Sequence, residues 1–105
     1  MNGDELVATL SALSHPQRLR IVGALAGDGS TWVSQLARDL GISRPLLHLH
    51  LERLEAAGLV VSATEVAEDG KARRFVSLAP FDLRLDPETV ARAAATVTVT
   101  ERKKA

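Results

Sequence analysis

The stretch Trp32 to Val60, WVSQLARDLGISRPLLHLHLERLEAAGLV, decides the fold. It holds two amphipathic helical patterns joined at Gly41-Ile42-Ser43 and runs straight into a strand. In the first pattern Val33, Leu36, Ala37 and Leu40 recur at helical spacing and make an inner face. Gly41 supplies a left-handed residue where that helix must end. Ser43 is a good N-cap for the next helix, and Pro45 is tolerated in its first turn. At about 100° per residue, Leu47, Leu51 and Leu54 share one stripe, which is the buried side. Leu46, Leu49, Glu52 and Arg53 fall well away from that stripe, with His48 on a flank, and Gly58 ends the helix.

Working outward, Asn2-Gly-Asp-Glu5 has the form of a capping box, followed by Leu6, Val7, Leu10 and Leu13 at helical spacing. Ser14-His-Pro-Gln17 repeats the logic: Ser14 caps, Pro16 sits in the first turn and Gln17 completes the box. The second helix runs through Leu19, Ile21, Val22 and Leu25 and stops by Gly27-Asp28-Gly29. Ser30 or Thr31 opens the third. Beyond the opening stretch, Leu59–Val66 and Ala72–Leu78 read as two strands joined by the turn Glu68-Asp-Gly-Lys71. Pro80 closes the second strand. Asp86 caps a last helix with Pro87 at its first position, continued by Val90, Ala93, Ala94 and Val97. The β-branched run Val97-Thr-Val-Thr100 frays or ends it. The predicted order is α-α-α-α-β-β-α: mainly α with a small β-hairpin, a winged helix-turn-helix in one domain over residues 1–100, with 101–105 a solvated tail. A unit of this kind presents one helix outward, usually to the DNA major groove.

The 105 residues suffice for one modest core. Aromatics are confined to Trp32, Phe75 and Phe81, so that core must be aliphatic. With no cysteine, disulfides and thiolate metal sites are excluded, and a reducing cytoplasm is compatible. No window is apolar enough to span a bilayer, and Asp4 and Glu5 stand where a secretory signal would carry positive charge. A cytoplasmic protein with no membrane partner is the expectation. The 13 basic and 13 acidic residues cancel, which counts mildly against nucleic acid. Binding nevertheless needs only a local basic surface, since acids elsewhere can balance the sum.

Three phrases together resemble one family. Ala12-Leu-Ser-His-Pro-Gln-Arg-Leu-Arg-Ile-Val22 is similar to the second-helix signature of ArsR-type winged-helix regulators. Val33-Ser-Gln-Leu-Ala-Arg-Asp-Leu-Gly-Ile-Ser43 resembles their first helix-turn-helix helix and turn. Leu51-Glu-Arg-Leu-Glu-Ala-Ala-Gly-Leu-Val60 resembles the end of their recognition helix entering the wing. The resemblance covers roughly residues 6 to 80. It implies a homodimeric, repressor-like protein whose first and last helices form the interface. It also implies a recognition helix in the major groove and a wing on the backbone or minor groove. Two departures stand out. The Cys-x-Cys of metal-sensing members is replaced here by Trp32-Val-Ser-Gln-Leu36. The recognition positions, Arg44-Pro-Leu-Leu-His-Leu-His50, are richer in leucine than the family's usual Ser, Thr, Gln and His.

The candidate DNA contacts are Ser43, Arg44, Pro45, Leu46, His48 and Leu49 at the start of helix 44–57, Arg53 further along it, and Lys71, Arg73 and Arg74 in wing 59–78. Arg44 suits guanine or a phosphate. His48 reads equally as a base or phosphate contact or as a rim residue. Leu46 and Leu49 fit partial burial, thymine methyls or a protein partner, in that order. His50, nearer the leucine stripe, fits a structural histidine first, while the family resemblance implies that the same region can touch phosphate. Strand alternation puts Arg73 with Phe75 and Arg74 with Val76 on opposite faces, so both arginines cannot point the same way.

His48 and His50 are two apart on a helix and point in different directions, so no metal site is expected. No nucleophile elbow, P-loop or dinucleotide fingerprint is present, and no catalytic residue or cofactor is assigned. The partner expected is double-stranded DNA, bound by a dimeric transcriptional regulator whose effector is unread. The alternative is a winged-helix protein-interaction module without specific DNA binding.

Overall fold

The computed structural model of the chain describes residues 1–98. Within them lie α1 (Gly3–Leu13), α2 (Pro16–Asp28), β1 (Ser30–Trp32), α3 (Val33–Leu40), α4 (Arg44–Ala56), β2 (Val60–Val66), β3 (Ala72–Leu78) and α5 (Pro87–Ala94). The expected tail at 101–105 and the last residues of the β-branched run lie outside the described residues.

Capping chemistry sets most of the helix starts. The Asn2 side chain accepts from the Glu5 N–H at 2.8 Å while Glu5 reaches back to the Asn2 N–H at 2.9 Å, the reciprocal box expected at α1. Ser43 accepts from the Leu46 N–H at the start of α4. Asp86 and Thr89 form a box at α5. At α2 the cap differs from expectation. Ser14 closes α1, and His15 is the N-cap, its Nδ1 accepting from the Gln17 N–H at 3.0 Å. The imidazole takes this role because Ser14 is already turned back, its N–H on the Ser11 carbonyl.

The larger correction is β1. Ser30 and Thr31 read as helix openers, yet they belong to a strand, and α3 starts at Val33 behind Trp32. The sheet therefore has three antiparallel strands in the order β1-β3-β2. Trp32 lies opposite Phe75 in register, and their rings meet edge to face at 4.8 Å. That pairing of two large aromatics, worth about 0.5–1.5 kcal/mol beyond burial, binds a three-residue strand that no local pattern announces.

The core is a layer between helices and sheet. Ile21 and Leu25 of α2, Leu36 of α3, Leu47, Leu51 and Leu54 of α4, and Val60 and Val76 of the sheet are all essentially inaccessible. The predicted α4 stripe is thus fully buried, and at about 25 cal/mol per Å² of apolar area each leucine contributes roughly 1.5–3 kcal/mol. Gly41, at φ 68°, ends α3 and swings the chain into α4. Gly58 and Gly70 adopt the same left-handed backbone at the end of α4 and in the hairpin turn. α1 and α5 pack together at one end, and among the described residues α1 is the one element α5 touches substantially. Gly3 allows that approach: a Cβ there would lie 2.1 Å from the Ala93 carbonyl oxygen. Its N–H donates to Thr96 Oγ1 at 2.7 Å.

Candidate nucleic-acid interface

Because Leu47, Leu51 and Leu54 seat α4 against the core, the remaining helix surface divides into three strips. Arg44, His48 and Glu55 run along the edge toward the wing. Leu46, Leu49 and Arg53 lie on the outer face. His50 faces α1 and α2. The two outer leucines, for which partial burial is the first expectation, are 41% (Leu46) and 60% (Leu49) exposed. Their seat in this chain is solvent, because the buried stripe is already filled by other leucines.

Between the start of α4 and the wing lies a cleft of about 550 Å³. Arg38, Arg44, His48, Lys71, Arg73 and Arg74 line it, with Val33 and Ser34 from the first turn of α3, and among the described residues no carboxylate lines it. A chain of zero net charge therefore carries a strongly cationic concavity, where field lines focus and polyanions concentrate. The acids that neutralise the sum sit elsewhere or are tied up at its rim. Asp69 accepts from the Lys71 N–H at 3.0 Å and pairs with Arg73.

Arg44, His48, Lys71, Arg73 and Arg74 are brought together here, although their sequence separation spans helix and hairpin. Ser43 adjoins them as the cap of α4. Arg53 is not part of this group: it lines a shallow hollow with Arg18 and the small residues Ala8, Ser11 and Ala12 of α1. Pro45, Leu46 and Leu49 are exposed on the helix beside the cleft without lining it.

Arg38 joins the cleft without having been singled out from sequence. It stands on the exposed side of α3, donating to Gln35 Oε1 at 2.6 Å, while Gln35 donates to Asp39 at 2.7 Å. The signal available was its place in the last turn of the helix before the Gly41 turn, where a side chain can reach the mouth of α4.

The two expected wing faces are both present. Val76 is fully buried, and Arg74, on its side of β3, turns inward. It donates to Glu55 Oε1 at 2.5 Å, to Ser62 Oγ at 3.0 and 3.1 Å and to His48 Nδ1 at 2.7 Å. Ser62 also donates to Glu55 Oε1 at 2.5 Å. The wing is thereby fastened to α4 by charge-assisted bonds that are only about 30% exposed at both ends of the ion pair.

His50 is 7% exposed. Its Nδ1 faces Arg18 Nη1 at 3.3 Å, and its ring lies 4.6 Å from that of His15. Arg18 also donates from Nε to the Ala12 carbonyl at 2.5 Å, closing the end of α1. Burial, then His15 and then Arg18 push the His50 pKa down from its ordinary value. This is the structural histidine expected from its place beside the leucine stripe.

The comparisons agree with this geometry. The family model for the helix-turn-helix domain matches residues 13–68, from the last residue of α1 through β2. An uncharacterized HTH-type transcriptional regulator of Methanocaldococcus jannaschii is 34% identical over 86 residues, 82% of this chain and 88% of that protein. The HTH-type transcriptional regulator YgaV of Escherichia coli is 36% identical over 61 residues, 58% of this chain and 62% of that protein. Among solved structures, the homodimeric winged helix-turn-helix DNA-binding domain of a candidate ArsR-family regulator from Mycobacterium bovis is similar, with a TM-score of 0.65 and 27% identity. The match covers 88% of this chain and 73% of that one. With the domain model spanning more than half of the sequence and a relative matched over most of both chains, this chain belongs to the helix-turn-helix transcriptional regulators, as a winged helix of the ArsR type.

Proposed function

We propose that the chain works as a homodimeric DNA-binding repressor, inserting α4 in the major groove and resting the wing on the backbone. The observation that carries this reading is the carboxylate-free basic cleft between α4 and the wing. Phosphates would be held by Lys71, Arg73, Arg38 and the Ser43-capped start of α4, and from the far side of the helix by Arg53. These contacts supply affinity and make it salt-dependent. Base edges would be met by Arg44, Pro45, Leu46, His48 and Leu49. Arg44 suits guanine, and the exposed leucines suit thymine methyl groups. The protein would act by occupancy rather than turnover, in the cytoplasm with its DNA. No helix among the described residues is long and apolar enough to cross a membrane.

Dimerisation through α1 and α5 is supported by what one chain leaves uncovered. α5 has no fully buried residue, Val7, Leu10 and Val90 are exposed on the paired terminal helices, and Val97 is exposed just beyond α5. An eight-residue helix is marginal in water by itself, so a second copy is the natural cover for this face. The M. bovis domain is itself homodimeric, and its family membership is shared. Two copies would set the α4 helices about one turn of DNA apart, roughly 34 Å.

The test is a genomic pull-down followed by footprinting of the recovered duplex, with sedimentation to read assembly. The expected result is a protected site with two half-sites and a dimer at micromolar concentration. A protein that shifts no genomic fragment at low salt defeats the reading. The exposure of Leu46 and Leu49 also suits a protein partner. Loss of such a partner on Leu46→Ser/Leu49→Ser, with DNA binding intact, would favour that alternative.

A further inference from the structure

The cations of the cleft are not equivalent. Lys71 and Arg73 sit at the hairpin end of the wing, and among the described residues Arg73 pairs with the exposed Asp69 alone. Arg74, one residue further along β3, directs its guanidinium at Glu55, Ser62 and His48. A guanidinium has donors and no acceptor. At the 2.7 Å contact the Arg74 Nη1–H therefore donates, and His48 Nδ1 accepts. An imidazole that accepts through Nδ1 is neutral and carries its proton on Nε2. Among the described residues no hydrogen bond engages His48 Nε2, and the ring lines the cleft.

Resting on the DNA reading of this site, we propose that Arg74 is a positioning residue and not a phosphate contact. It locks His48 as an Nε2–H donor, which recognises an acceptor on a base edge: a purine N7, guanine O6 or thymine O4. Swinging out to a phosphate would cost Arg74 its ion pair and leave the part-buried Glu55 carboxylate with Ser62 as its remaining hydrogen-bond partner. A histidine free to exchange tautomers would present donor and acceptor alike and could not discriminate. A fixed donor rejects the amino groups of adenine and cytosine, because donor then faces donor. Glu55 and Ser62 complete the device: they hold the guanidinium in place from the helix and from the neighbouring strand.

Two measurements test this separately from DNA binding as such. The first is the side-chain ¹⁵N spectrum of histidine-labelled wild-type protein without DNA, at mildly alkaline pH. The expected result is one His48 tautomer with unprotonated Nδ1 and protonated Nε2. A protonated Nδ1, or averaging between both nitrogens, overturns the proposal. The second is binding of the footprinted duplex, and of its single-base variants, across a salt series. Lys71→Met should make the salt dependence shallower by about one released ion. Arg74→Met should keep the wild-type slope but lose about tenfold of preference at one base pair. His48→Ala should lose the same preference in a chain that keeps Arg74, and so covers the case in which Arg74→Met does not fold. A shallower slope for Arg74→Met, or full preference in His48→Ala, overturns the proposal. Wild-type protein that binds no duplex defeats the DNA reading and the readout role with it, while the ¹⁵N spectrum still scores the tautomer.

Discussion

The two edges of α4 carry the same pair of residue types and use them for opposite ends. On the wing edge, Arg74 meets His48 at 2.7 Å; on the α2 edge, Arg18 meets His50 at 3.3 Å. In both, an arginine donates to Nδ1 of a histidine. The difference lies in what surrounds the pair. His48 is half-buried and opens onto the cationic cleft. His50 is shut in by His15 and by the arginine that closes α1. Exposure, not residue type, opens one pair onto the cleft and makes the other a rivet. A helix can present chemistry on one edge only if its other edge is fixed, and the leucine stripe between them provides the common seat.

Removing that seat should have the largest effect. Leu51→Ala takes a fully buried side chain out of the middle of α4. It should cost about 2–5 kcal/mol of folding stability in a denaturant titration. A loss under 1 kcal/mol would mean that the stripe does not hold the helix, and the contrast between the edges would have no structural basis.

The next pair of variants crosses the comparison. Arg18→Met strips a donor from the Ala12 carbonyl and from His50, and should cost about 1–3 kcal/mol of stability. The salt dependence of DNA binding should be unchanged. Arg44→Ala should leave stability within about 0.5 kcal/mol and weaken duplex binding about tenfold. Denaturation curves and binding isotherms on the same two proteins read both. Arg44→Ala lowering stability as much as Arg18→Met would erase the distinction between a structural and a presenting edge.

How much of this was legible in the sequence follows from the range of the interactions. The α4 stripe, the Ser43 cap, the Gly41 turn and the hairpin at Asp69-Gly70 are local, set within a few residues, and they could be read directly. The strand β1 could not. Its three residues acquire their conformation from β3, some forty-five positions later, and Ser and Thr in front of a helical pattern look like caps. His15 replaced Ser14 as a cap for a similar reason, since the competing bond of Ser14 belongs to the end of α1. In the site, the basic residues were legible by type, but their grouping was not. Strand alternation separated Arg73 from Arg74 correctly, yet only the packing of β3 on α4 decides that Arg74 meets Glu55. Arg38 and Arg53 exchange places relative to a reading by helix alone, because α3 abuts the wing while Arg53 turns toward α1.

The smallest expected effect concerns pH and sharpens the contrast between the histidines. His50 is held below its ordinary value of 6.5 by burial first, then by His15 and Arg18. In the unfolded chain it titrates normally. As pH falls through about 6.5 the unfolded state takes up a proton that the folded state still refuses, so stability declines. The decline from this residue ends only at the lowered folded value, and above the ordinary range it vanishes. His50→Asn keeps an acceptor near the position of Nδ1 and removes the titration. Its unfolding free energy should fall less steeply than the wild type's between neutral and mildly acidic pH, by less than one proton's worth of slope. Carboxylates titrating lower down are common to both proteins and cancel in the difference. Identical slopes would mean that His50 gains its proton as easily folded as unfolded, and its burial beside His15 and Arg18 would then not keep it uncharged.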